Sequence, residues 1–207
     1  MHPNPIYRNA DISRNLDYAR ERGFGVLSIN GSDGPLLAHV PFLLTDDGQS
    51  LDLHLVRSNP IARALDKPAT AVIAVTGPDS YISPDWYGVD DQVPTWNYIA
   101  VHLRGQLERL PDDALRNMLD RQSAHFEDQL SPKSPWTTDK MTPDVLTKMM
   151  RQIVPFRLTI QTVEGTWKLS QNKPDAVRER AAGYVNGFGM GCDPAILAGL
   201  MLAPPRK

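Results

Sequence analysis

Tyr81-Ile-Ser-Pro-Asp-Trp-Tyr87, followed by Val93-Pro-Thr-Trp-Asn-Tyr98, sets aromatic rings, prolines and small polar side chains between two apolar runs. Pro84 and Pro94 fix φ and remove a backbone donor. They also push Ser83 and Val93 toward extended backbone. Leaving Tyr81, Trp86, Tyr87, Trp96 and Tyr98 together in water is unfavourable. Such rings either plug the end of a barrel or wall a pocket for a flat ligand. Chemistry alone leaves both readings open.

Working outward, the flanking segments alternate as strands do. Thr70-Ala-Val-Ile-Ala-Val75 precedes the aromatic stretch, and Tyr98 to Leu107 follows it. In the latter, Ile99, Val101 and Leu103 alternate with Ala100, His102 and Arg104, and Gly105 marks a bulge or a close backbone approach. Further upstream lie Phe24–Asn30, Leu36–Leu44 and Leu51–Val56, separated by the turn signals Asn30-Gly-Ser-Asp-Gly34 and Asp46-Asp-Gly48. Phe156 to Val163 is a last strand. Helices are expected after Asp11, with Ile12, Leu16 and Ala19 on one face, and over Ile61–Asp66 behind the Asn59-Pro60 cap. Others open at Pro111-Asp112, at Thr142-Pro143, and as two short helices after Pro174 and Asp193-Pro194. Pro3 to Arg8 reads as an extended arm. About six or seven strands joined by short turns favour antiparallel pairing. With helices at the start, middle and end, this predicts an α+β, mainly β barrel rather than an open parallel sheet.

Of 207 residues, 41% are hydrophobic and 22% charged, and the formal net charge is −2. That balance is poor material for gripping a phosphate backbone. The single cysteine, Cys192, excludes an internal disulfide and a cysteine metal cluster. No basic region followed by an apolar core opens the chain, and no segment approaches the ~18 apolar residues of a membrane span. A cytoplasmic setting is the expectation. One barrel domain over 1–172 is expected, with a helical tail over 173–207 packed on the barrel or on a partner subunit.

Several chemistries can be weighed on residues alone. His39, His54 and His102 sit on predicted strands, but no paired metal-ligand spacing joins them; three interior histidines and a metal or haem site are the competing readings. No G-x-S-x-G elbow surrounds Ser83 or Ser170, and no paired catalytic carboxylates are evident. The G-x-G-x-x-G and P-loop fingerprints are absent. A helix-turn-helix would fall on Asp175–Arg180 and the helix from Asp193, yet Pro194–Leu202 is apolar and suits docking rather than base reading. A flavin mononucleotide needs cations and backbone donors for its phosphate, a slot for its ring and donors for the ring's polar edge. Arg57, Ser58, Asn59 and Arg63 can serve the first, although a capped surface helix with solvated arginines is the more economical reading of this spacing. Trp86, Trp96 and Tyr98 can wall the slot. Lys168, Ser170, Gln171 and Asn172 offer the polar contacts.

His39-Val-Pro-Phe42, His54-Leu-Val-Arg-Ser-Asn-Pro60, the two aromatic blocks and Trp167-Lys-Leu-Ser-Gln-Asn172 resemble, in order, the signature blocks of the PaiB family of FMN-binding negative transcriptional regulators. Pro5-Ile-Tyr-Arg8 and His125-Phe-Glu127 match as well. The resemblance implies an antiparallel FMN-binding split barrel related to pyridoxamine-phosphate oxidases. It implies a homodimer with flavin sites at the subunit interface and a helical C-terminal tail. By that analogy, phosphate contacts come from His39, Val40, Pro41 and Phe42 and from His54 to Asn59, and the block holding Asn97 joins the site. The family's name reflects repression of protease synthesis and sporulation. The acidic balance directs any regulation here through a ligand or redox state, with direct DNA binding not expected. The alternatives are a flavin-dependent oxidoreductase acting on a small molecule, with a histidine as proton carrier, and a haem-binding split barrel.

Overall fold

The computed structural model describes residues 1–205. Six strands, β1 (Phe24–Gly31), β2 (Gly34–Leu44), β3 (Ser50–Val56), β4 (Ala69–Ile82), β5 (Thr95–Arg109) and β6 (Ile153–Lys168), lie in the order β1-β2-β3-β6-β5-β4, which closes on itself. The helices are α1 (Ile12–Arg22), α2 (Pro60–Ala64), α3 (Ala114–Asp128), α4 (Pro143–Met150), α5 (Asp175–Phe188) and α6 (Pro194–Leu202). The expected α+β class and antiparallel pairing are what the chain adopts: β1 pairs antiparallel with β2 and β4, and β3 with β2 and β6.

The chain forms two compact units. One comprises 18–74 and 103–162; the other comprises 1–17, 75–102 and 163–207. The first holds β1 to β3 whole. Its β1–β2 hairpin turns at Ser32-Asp33, with Gly31 paired to Gly34 at φ 124°, a backbone open to glycine. The inward rows are alternating apolar residues: Leu27 and Ile29, Val40 and Phe42, Leu51, Leu53 and Leu55. Gly105 on β5 is a close approach: a Cβ there would stand 1.8 Å from the Thr159 carbonyl oxygen of β6. No helix among the described residues is long and apolar enough to cross a membrane.

Several expectations are corrected. β4 runs past Val75 to Ile82, through Pro78. Its buried row passes from Val75 to Pro78 and on to Ser80 and Ile82, so the alternation slips by one residue at Thr76-Gly77 and the pattern looks broken from sequence. β1 pairs β4 only at Ala71–Ala74. Farther along, the Asp79 and Tyr81 amides donate to the carbonyls of Cys192 and Met190 in the loop before α6. β6 likewise continues to Lys168. The arm is not extended: Pro5–Arg8 is a 3-10 turn capped by Asn4, whose side chain accepts from the Ile6 amide. On α1, Ile12 points to solvent, and Asn15 and Ala19 are the buried pair. No residue of α4 is buried, so this helix adds no core face.

Asp52 on β3 is 1% exposed, beneath α3. Arg157 on β6 grips it with two bonds of 2.7 and 2.9 Å, and Arg121 on α3 adds a third at 2.7 Å. Burial opposes ionisation of this carboxyl, but the bonds from the two guanidinium groups together outweigh it and hold its pKa below the usual value. A carboxyl with a lowered folded-state pKa adds stability above its unfolded pKa, near 4, and loses it as pH falls through the folded value. Asp52→Asn is therefore expected to cost roughly 2–3 kcal/mol at neutral pH. The gap from wild type should narrow in urea melts taken at successively lower pH below about 4. A gap that stays constant into strong acid would contradict this role.

Candidate functional site

In the unit formed by 1–17, 75–102 and 163–207, the chain leaves β6 at Lys168 and turns sharply. Ser170 makes the turn with φ 60°, a left-handed conformation uncommon outside glycine. Gln171 secures it from below. Its Oε1 accepts from the Leu169 amide at 2.8 Å, and its Nε2 donates to the carbonyls of Trp167 and Ile6. The turn aims the Ser170 hydroxyl at two buried partners. Asn97 Nδ2 on β5 donates to it at 2.9 Å, and the Tyr87 hydroxyl lies 2.9 Å away, sharing a hydrogen. Asn97 Nδ2 also faces the Met201 sulfur at 3.5 Å, which fixes the amide's orientation. Its Oδ1 is buried and has no hydrogen-bond partner. An unpaired buried carbonyl costs free energy unless something supplies a donor.

These groups open onto a cavity of about 270 Å³ lined by His2, Asn4, Tyr7, Tyr87, Asp91, Gln92, Val93, Thr95, Asn97, Lys168, Ser170, Asn172 and Lys173. Lys168 Nζ donates to Thr95 Oγ1, and Lys173 Nζ to Gln92 Oε1. Burial pulls the Lys168 pKa below the ordinary lysine value. Burial pushes the Tyr87 hydroxyl up, with the Ser170 bond acting the other way. Lys173 Nζ stands 5.2 Å over the Tyr87 ring. The lining is polar, cationic on balance, and shaped by rigid rings.

Of the residues singled out from sequence, Asn97, Lys168, Ser170 and Asn172 come together here. The aromatic stretch divides between the two readings left open. Tyr87 walls the cavity, whereas Trp86 stacks on Tyr184 of α5 at 6.0 Å and 7°. Trp96 remains 47% exposed, edge-on to Tyr81. Tyr98 is half-buried, and Gln171 is spent on the turn.

The remaining candidates lie on other strands. His39 is exposed, Val40 buried and Pro41 half-buried on β2; His54 is half-buried on β3. Burial lowers the His54 pKa. Arg57 is committed: Nε donates to the Arg151 carbonyl at 2.6 Å and Nη2 pairs with Asp112 at 2.9 Å. Asn59 caps α2 through the Ile61 amide, as its place before Pro60 predicts. Ser58 and Arg63 are exposed. His102 is half-buried on β5. No group of three or more His, Cys, Asp or Glu among the described residues is placed to hold a metal ion.

Sequence reading missed the contribution of the first residues. Tyr7 is buried against the cavity, and His2 packs edge-on to it at 4.6 Å. A signal existed: Asn4-Pro5 repeats the cap-plus-proline pattern of Asn59-Pro60. For Gln92 and Lys173 no local pattern announces a role.

Residues 1–162 match the family described as "Putative FMN-binding domain". "Protease synthase and sporulation protein PAI 2" of Bacillus subtilis is 30% identical over 159 residues, 76% of this chain and 75% of that protein. An uncharacterised protein of Emericella nidulans is 25% identical across 91% of this chain and 90% of its own length. Among solved structures, the FAD and heme binding protein from Mycobacterium smegmatis superposes with a TM-score of 0.59 at 18% identity, covering 90% of this chain and 82% of that one. A conserved hypothetical protein from Mycobacterium tuberculosis gives 0.57 at 15%, covering 84% and 94%. At such identities these likenesses speak to the fold, the α+β split barrel that the sequence resemblance implied.

Removing the Ser170 hydroxyl leaves Asn97 Nδ2 without its acceptor. Ser170→Ala is expected to cost about 1–3 kcal/mol. It should also move the Tyr87 titration further upward, since the bond that lowered it is gone. Ultraviolet difference titration of the wild type and the variant checks the second effect, and an unchanged tyrosine titration would refute it.

Proposed function

Because the chain belongs to the FMN-binding domain family, we propose that it is a flavin-binding regulator of the PaiB kind, with FMN as its cofactor. The match over residues 1–162 carries the reading. The likeness to the Bacillus subtilis protein supports it.

The phosphate is assigned to the segment after β3, where Arg57, Ser58, Asn59 and Arg63 cluster, with His39, Val40, Pro41 and His54 on the strand pair leading to it. Asn59 is already used as a cap and Arg57 is paired with Asp112. Exposed Arg63 is then the group best suited to meet a dianion. Trp96 and Tyr98 are assigned to the ring slot, and Asn97, Lys168 and Ser170 to the polar edge, with Gln171 holding the turn that presents Ser170. Trp86, stacked on Tyr184, supports the tail rather than the ring. Bound flavin supplies hydride and electron transfer; the protein's own groups hold its phosphate and orient its ring. Regulation through the flavin or a small ligand suits a chain of net charge −2 whose α6 carries no charged residue.

A homodimer belongs to the same proposal. Phe188 is 74% exposed, and Met190, Ile196 and Leu202 are exposed with it. Large apolar side chains gathered in the tail favour a partner surface. Sedimentation equilibrium should give the mass of two chains, reduced toward one by Phe188→Glu; a single-chain mass for the wild type would overturn the dimer.

For the cofactor, purified protein mixed with FMN and desalted should keep the flavin absorbance. Arg63→Ala should weaken FMN binding roughly tenfold while leaving riboflavin, which lacks the phosphate, unchanged. Failure of the wild type to retain FMN would remove the flavin reading. An equal loss for both ligands would remove the phosphate assignment.

A further inference from the structure

Residues 1–4 lie ahead of every helix and strand, yet the arm they form is pinned along its length. The His2 amide donates to Thr166 Oγ1, the Asn4 amide to His2 Nδ1 and the Ile6 amide to Asn4 Oδ1, each at 3.1 Å. Arg8 Nη2 reaches the Pro3 carbonyl at 3.4 Å. Thr166 is fully buried near the end of β6, so the first of these bonds ties the arm to the barrel strand. Held in this way, His2 and Asn4 form part of the wall of the cavity beside Ser170.

The bonds to Thr166, Asn4 Oδ1 and Pro3 are indifferent to pH near neutrality. The bond to His2 is not. Its Nδ1 accepts from the Asn4 amide, which requires a neutral ring with its hydrogen on Nε2. Charging the imidazole puts a hydrogen on Nδ1 as well, and two donors then face each other across 3.1 Å.

The surroundings act in the same sense. Burial first, then Lys168 on β6, Arg8 in the turn Pro5–Arg8 and the amino group of Met1 hold the His2 pKa below its ordinary value. Tyr7, the other titratable group of that turn, stands edge-on to the His2 ring at 4.6 Å, and Lys168 Nζ approaches the same Tyr7 ring at 6.0 Å. The remaining titratable groups on the cavity wall are Tyr87, Lys173 and one carboxylate, Asp91. Among the influences that reach His2, none favours its charged form.

We propose that His2 is a pH-sensitive latch: neutral, it holds the N-terminal arm against the cavity, and protonated, it releases the arm and opens that wall to solvent. A histidine whose pKa is lowered in the latched state stabilises that state fully above the free value of about 6.5. The contribution is lost as pH falls from there toward the latched value. Mild acidity thereby uncovers the groups assigned to the flavin's polar edge. That consequence rests on the flavin reading; the latch itself does not.

Backbone amide relaxation on the full chain tests the latch. The Asn4 amide is expected to be rigid at about pH 7.5, with an order parameter near roughly 0.85, and to fall below about 0.6 at about pH 5.5. A neutral nitroxide in the buffer should broaden the Thr95 and Lys168 amides more strongly at the lower pH. His2→Asn keeps a side-chain acceptor two residues ahead of the Asn4 amide, the arrangement Asn4 makes with Ile6, and does not titrate. It should stay latched at both pH values, whereas His2→Ala, with no acceptor, should be mobile at both. A wild-type arm equally rigid at both pH values, a wild-type response to pH in His2→Asn, or a rigid arm in His2→Ala would each overturn the proposal. FMN retention is read separately from its absorbance. Flavin lost at the lower pH by the wild type and kept by His2→Asn supports control of the flavin site by the latch. Arm release with flavin binding unchanged removes that control and leaves the latch. Arm release in a protein that retains no FMN at either pH removes the flavin reading alone.

Discussion

Ser170 carries a left-handed backbone, and the polar interior of its unit depends on where that places one hydroxyl. Without the turn, the chain would continue as a strand and its side chains would alternate past Asn97 and Tyr87. With it, Ser170 Oγ sits 2.9 Å from both. The conformation costs of order 1–3 kcal/mol and survives only where its surroundings over-determine it. Gln171 provides that constraint by binding back to the strand end that leads into the turn, at Trp167 and Leu169, and to the first residues of the chain at Ile6. Trp167, fixed by its Nε1 bond to Asn15 Oδ1 at 2.8 Å and by Arg14 over its ring, anchors the entry. A run of six residues, Trp167 to Asn172, is thus held by contacts far away in sequence.

The fold was largely legible because strand alternation is a local property. Leu51, Leu53 and Leu55, or Ile99, Val101 and Leu103, declare their faces without help, and the polar, glycine-bearing clusters Asn30–Gly34 and Asp46–Gly48 mark the turns. Legibility failed where the alternation slips. At Thr76-Gly77 the buried row shifts by one, and a period-2 reading ends β4 several residues early. It failed on α1 for a related reason. Ile12 is the more apolar residue, yet Asn15 is buried because Trp167 needs an acceptor, and that demand comes from 152 residues away.

The candidate site was legible by composition more than by arrangement. Lys168, Ser170 and Asn97 were suspected as polar groups near strand ends, and they converge. Trp86 and Trp96 were suspected because large rings want burial. One found Tyr184 and the other stays near the surface. Tyr7 and Lys173 were out of reach, since nothing in their neighbours reveals which distant segment they meet. Arg57 shows the opposite difficulty: a guanidinium that looks available in sequence is engaged by Asp112 and the Arg151 carbonyl once the chain folds.

The backbone pairing of Asp79 and Tyr81 with Cys192 and Met190 closes a strand edge that β1 leaves bare. β1 accompanies β4 only as far as Ala74, and beyond that point the strand's amides would otherwise face outward, a template for cross-strand addition by another copy. The loop before α6 occupies those amides, and the Asp79 carboxylate accepts a further bond from the Cys192 amide at 3.0 Å. The C-terminal segment therefore acts as a protective selvedge on an open sheet margin. Shortening the chain ahead of Met190 would bare those amides.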